Sequence, residues 1–239
     1  MLSDNSILRR IPLAIEPKQA LFIDGIRHSV EMIDLAYSRL RENLTHLALN
    51  PLTPDTLRQS SPLVFLDAWA MVDAIDRFRM LYSQMPGMTP VSSTPSIEPL
   101  KEVTKSFRKL RNVADHLSSS ADFVISRGGA ALGTLTWLTG FKTDPPTLWY
   151  CTLRPGTIRN TPEYRKEPIL TTIEWPTDQI CLLAGGYEGN LSAIRPHIEL
   201  RVKHLEDHLE SWFHSHGLSK SSVANDVLSR QAYQMAPSS

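Results

Sequence analysis

The chain has 239 residues, 41% of them hydrophobic, with 25 basic and 25 acidic side chains and a formal net charge of zero. That composition is enough for a real core and excludes a polyanion binder held by bulk charge alone, though not a local basic site. No apolar run approaches the ~18 residues that a bilayer span needs.

The first residues, with Asp4, Arg9 and Arg10 and no long apolar stretch, do not read as a signal peptide. Residues 1–16 read as an irregular lead-in, and Glu16-Pro17 opens a helix. Phe22, Ile26, Val30, Ile33, Tyr37, Leu40, Leu44 and Leu47 step by three and four, one face of an α-helix. Asn50-Pro51 and Thr53-Pro54 end it. Ser61-Pro62 starts a second helix with Phe65, Trp69, Val72, Ile75 and Phe78 on its apolar side, and Met85-Pro86-Gly87 stops it. A proline- and serine-rich loop over 86–99 follows. A third helix is expected from about Glu98 to Val124, its stripe made of Leu100, Val103, Phe107, Leu110, Ala114, Leu117, Ala121 and Val124. Arg127-Gly128-Gly129 closes it.

Composition then changes. Short runs of β-favouring residues predict strands near Leu132–Leu138, Leu148–Leu153, Ile169–Trp175, Ile180–Ala184 and Asn190–Ile194, separated by Pro- and Gly-rich turns, so an antiparallel meander. Cys151 and Cys181, without CxxC spacing, read as reduced thiols packed in two of these strands, and the expected compartment is cytoplasmic. A last helix follows Pro196, with Ile198, Val202, Leu205, Leu209 and Trp212 on one face. The fold class is therefore α+β. A long-helix bundle covers 1–128 and a small antiparallel β-rich region covers 129–194. A C-terminal helix over 195–217 packs on the same domain, and 218–239 form a loosely held tail.

Chemistry concentrates at Arg111-Asn112-Val113-Ala114-Asp115-His116. Arginine offers a permanently charged planar fork that suits phosphate, and histidine titrates nearest neutrality. Arg followed at four to six residues by His also occurs as Arg41/His46, Arg39/His46 and Arg201/His208. Only Arg111 has a small amide beside it, and within one helix Asn112 and His116 would share a face. The bland alternative is a local ion pair between Arg111 and Asp115 at i,i+4.

Arg-Asn-x-x-x-His near the end of a long helix resembles the hallmark of HEPN ribonucleases, a superfamily of small helical bundles. The likeness covers roughly residues 17–126. The order of helices, and the segment from Leu66-Asp67-Ala68-Trp69 to Arg77-Phe78-Arg79, are also similar. The β-rich region departs from it. The resemblance implies a HEPN-like bundle acting as a metal-independent RNA endonuclease without cofactor, a defence or toxin-like effector. Arg111 would stabilise charge on the phosphorane, His116 would act as acid or base, and Asn112 would orient one of them. It also implies a homodimer through the helix carrying Arg111 and His116, because one pair offers too few groups. The alternative is a catalytically silent helical interaction or nucleotide-binding module, with a protein partner reached through the β-rich region.

Lys105, Arg108 and Lys109, with Lys101, form a basic face leading to Arg111, the expected substrate-binding residues for an RNA backbone. His204 and His208 have the spacing of a helical zinc pair, but no third ligand is evident and a solvated face is the expectation, so no metal site is assigned. The five tryptophans are expected in the core rather than as stacking platforms.

Overall fold

Glu16 caps the first helix, its carboxylate accepting the Gln19 N–H at 2.9 Å with Pro17 in the first turn. The computed structural model describes residues 1–50, 53–87, 99–119, 121–126, 130–143, 146–156 and 174–231. Helix α1 spans Pro17–Leu49 and buries Ile26, Val30, Ile33, Tyr37, Leu40, Leu44 and Leu47, the stripe the sequence marks; Ile23 is buried where Phe22 is only partly so.

Helix α2 spans Pro54–Gln84 and so begins well before Ser61-Pro62. Thr53 caps it, accepting the Thr56 N–H at 3.1 Å, and Pro54 suits the first turn. Pro62 lies inside the helix, on its exposed side. The carbonyl that a proline deprives of its donor can there bond water. The two helices run antiparallel, with Arg39 on α1 3.3 Å from Asp67 on α2, and Leu81 against Gly25.

The single helix expected over 98–124 is three pieces: α3 (Leu100–Val103), α4 (Lys105–Asp115) and α5 (Ala121–Ser126). Thr104 marks the first break, with φ −100° and ψ 2°, its hydroxyl bonded back to the Leu100 carbonyl at 2.6 Å. The second break starts at His116, with φ −116° and ψ 23°. Ser119 there donates to the His116 carbonyl at 3.1 Å, the local competition by which serine ends helices. Leu100, Phe107 and Leu110 are buried as expected, but Ala114 and Ala121 are exposed.

Four antiparallel strands follow: β1 (Thr134–Phe141), β2 (Thr147–Leu153), β3 (Thr177–Ala184) and β4 (Tyr187–Asn190). Their order is β2-β1-β3-β4 rather than that of a plain meander, since β3 returns on the far side of β1. The expected strand at Ile169–Trp175 falls mostly outside the described residues, and Glu174–Pro176 is not strand. Gly185 and Gly186, both at positive φ, make the tight turn from β3 to β4. Cys151 and Cys181 are half-buried in β2 and β3, and neither is in a disulfide. Asn190 accepts the N–H groups of Ser192 and Ala193 at 3.1 and 2.8 Å, so helix α6 starts at Ile194, ahead of Pro196, and runs to Ser215.

One hydrophobic cluster joins the long helices, α4, the sheet and α6. It holds Ile26 and Phe65 from the long helices, Leu110 from α4, Leu135 and Ile180 from the sheet, and Leu205 from α6. The lead-in and the tail also belong to the body. Leu8 is fully buried, Leu13 N–H donates to Ser222 carbonyl at 2.8 Å, Ala224 N–H donates to Ile11 carbonyl at 2.9 Å, and Arg27 holds Asp226 at 2.8 Å. The start of the expected loose tail is therefore anchored. Among the described residues, no helix is long and apolar enough to cross a membrane.

Candidate functional site

Helix α4 is pinned by its apolar face. Phe107 and Leu110 lie against Gly189 of β4, where an added Cβ would come within 2.7 Å of a Leu110 methyl and 3.0 Å of the Phe107 ring. Only glycine lets the helix and strand approach so closely. The fixed helix turns its polar stripe, Lys105, Arg108 and Asn112, towards the C-terminal half of α2, Lys101 of α3 extends it, and Arg79 closes the opposite wall. A groove of about 420 Å³ lies between them, with Lys109, Thr104 and Glu102 completing its lining. Among the described residues, no aromatic or large apolar side chain lines it.

The groove's cations differ in how they are held. Lys105 is 3.6 Å from Glu102, an exposed pair of little strength. The Lys109 ammonium sits 4.9 Å over the Tyr187 ring. Lys101 and Arg108 have no ion pair or hydrogen bond among the described residues. Arg79 is fixed on Asp76 of its own helix, with Nε and Nη2 2.8 and 2.7 Å from Oδ1.

Arg111 is placed otherwise. Its Nη1 donates to Asp76 Oδ2 at 2.8 Å, and its Nε lies 3.3 Å from Asp73 and 3.8 Å from Asp115. Asp76 is 3% exposed, so this charge-assisted bond is largely shielded from water. That bond, aided by the charges of Asp73 and Asp115, holds the guanidinium more firmly protonated than usual. The pair to Asp115 exists, but the shortest contact is to helix α2. His116 follows the last turn of α4 as an exposed capping residue whose N–H donates to the Asn112 carbonyl at 3.1 Å. Of the sequence-predicted site, Lys105, Arg108, Lys109 and Asn112 come together in the groove, whereas Arg111 and His116 lie outside its lining.

A second concavity, of about 510 Å³, lies between α1 and the segment entering β3. Arg41 crosses it and donates to the carbonyls of Thr177, Glu174 and Trp175 at 2.7, 3.2 and 2.6 Å, and to the Glu174 carboxylate at 2.8 Å. Arg195 stacks over the Tyr37 ring at 4.1 Å. These are structural ties. Burial pushes the Cys151 thiol up to about 11, which suits a packing residue rather than a nucleophile. Among the described residues, no three His, Cys, Asp or Glu side chains gather as a metal site, those of the α6 histidines included.

Arg79, Asp73 and Asp76 escaped the sequence reading as site residues. A signal existed: Asp76 and Arg79 stand at i,i+3 inside the apolar stripe of Ile75 and Phe78, where a charged pair needs a reason. No protein-family model, no curated protein and no solved structure matches this chain.

Proposed function

We propose that the chain is a HEPN-like, catalytically silent binding module whose α3–α4 groove takes a phosphate-bearing ligand, a nucleotide or an RNA backbone. One observation carries this reading. Arg79, Lys101, Lys105, Arg108 and Lys109 converge on one groove of a protein with no net charge, and Lys101 and Arg108 are without partners among the described residues. Unpaired cations held together are costly to the free protein and favour an anion. With no aromatic platform among the described lining residues, the phosphates rather than the bases are the recognised groups. Arg111 is engaged by Asp76, Asp73 and Asp115 and lies outside the groove lining, so its fork is not presented to a ligand there.

The test is fluorescence anisotropy with a labelled single-stranded RNA of about 12 nucleotides, long enough for one such site, competed by ATP and by tripolyphosphate. Binding should weaken steeply with salt and fall in Lys101→Gln/Arg108→Gln. Absence of binding by all three ligands at low salt rejects the reading.

The metal-independent ribonuclease, as a defence or toxin-like effector, is the second reading. Asn112 in the groove and the exposed His116 just beyond the same helix favour it. It requires Arg111 to leave its carboxylates, and a second copy to supply the second acid–base group through the α4 face. Total RNA incubated with wild type beside Arg111→Ala/His116→Ala, with and without EDTA, decides it. Cleavage that survives EDTA and disappears in the double variant would displace the silent module.

A further inference from the structure

One buried carboxylate touches two guanidiniums that face different ways. Asp76 Oδ1 accepts a hydrogen bond from Arg79 Nε and lies 2.7 Å from its Nη2, at one wall of the groove, and Oδ2 accepts one from Arg111, outside it. Both oxygens are thereby engaged, and the Asp76 side chain is 5% exposed. Arg79 and Asp76 are one turn apart on α2, while Arg111 comes from α4, so the same group ties the two walls together. Arg79 is otherwise a long side chain with several rotatable bonds, and fixing it beforehand removes an entropy cost that a ligand would have to meet.

We propose that Asp76 is a positioning residue for the anion site: it aims Arg79 into the groove. This rests on the reading of the groove as a phosphate site. It adds a prediction of sign that charge alone reverses. Removing a negative charge near a cationic groove ordinarily strengthens anion binding. Asp73→Asn should do so, by about twofold, since among the described residues Asp73 holds only Arg111 and Arg77, at the surface. Asp76→Asn should instead weaken it, by about five- to tenfold, because the charge-assisted fork that orients Arg79 is lost.

The experiment is the same RNA anisotropy titration on Asp73→Asn, Asp76→Asn, Asp76→Glu, Arg79→Lys and Lys101→Arg, each checked for folding by its thermal melt. Asp76→Glu should recover part of the loss. Arg79→Lys keeps the charge but not the fork, and should lose affinity like Asp76→Asn, while Lys101→Arg should match wild type. A folded Asp76→Asn that binds as tightly as wild type, or more tightly, overturns the proposal. Should Asp76→Asn not fold, Arg79→Lys decides, and wild-type affinity there overturns it equally. Failure of the wild type itself to bind RNA removes the groove reading and this inference with it, a result distinct from tight binding by the variants.

Discussion

Arg41 on α1 and Arg108 on α4 are both helical arginines beside a concavity, and the fold uses them in opposite ways. Arg41 reaches across to three backbone carbonyls of the segment entering β3 and acts as a bolt between helix and sheet. Arg108 meets no partner among the described residues and shares its groove with four other cations. Arg111 falls between them, near the surface but held by carboxylates. An arginine that satisfies the protein's own acceptors contributes stability and little binding; one left unsatisfied does the reverse.

The largest effect is expected on the apolar side of α4, which faces the sheet. Leu110 is fully buried against β4, and Leu110→Ala should cost about 3 kcal/mol in urea denaturation. Anion binding should fall with it, because the polar stripe loses its platform. A loss below about 1 kcal/mol would mean that α4 is held mainly by something else.

Next is the bolt. Arg41→Ala strands carbonyls of Glu174, Trp175 and Thr177 and should cost about 2 kcal/mol. RNA affinity should stay at the wild-type value, since Arg41 lies outside the α3–α4 groove. Arg108→Gln should show the mirror image: stability within about 0.5 kcal/mol of wild type, with weaker RNA binding and a shallower salt dependence. If the two variants behave alike in both assays, the distinction between bolted and free arginines is lost.

Much of the architecture was legible because it is local. The stripe from Ile26 to Leu47 marks α1, Gly185-Gly186 marks the β3–β4 turn, and the α+β order follows from composition. The breaks in the third helix were not. A leucine-rich stripe continues through Thr104 and His116, and what stops the helix is a side-chain hydroxyl bonding backwards, a choice periodicity does not record. The basic face could be read from Lys101, Lys105, Arg108 and Lys109, since they recur at helical spacing. The fate of Arg111 could not, because Asp76, its nearest partner, lies 35 residues away on another helix, and only the fold brings them together. Sequence spacing therefore located the cations but could not say which were already neutralised.

The smallest expected effect concerns an acid neither fully paired nor free. Asp67 is buried between α1 and α2; one oxygen is 3.3 Å from the exposed Arg39 and the other has no hydrogen-bond partner among the described residues. Burial raises its pKa, and the attraction of Arg39 only partly offsets this. An acid whose folded pKa is raised destabilises the fold while ionised, so the penalty is complete above the folded pKa and disappears as pH falls through it to the unfolded value. Asp67→Asn keeps the shape without the charge, and Arg39, being at the surface, is not left stranded. The variant should gain about 0.5 kcal/mol at pH 7, since a half-paired buried charge is a net cost. That advantage should shrink as urea denaturation is repeated towards pH 4, where the wild-type carboxyl takes up its proton. A variant less stable than wild type at pH 7, by a margin that pH does not change, would show that the Arg39 pair outweighs burial. Asp67 would then belong with Asp76 among the carboxylates that hold this fold together.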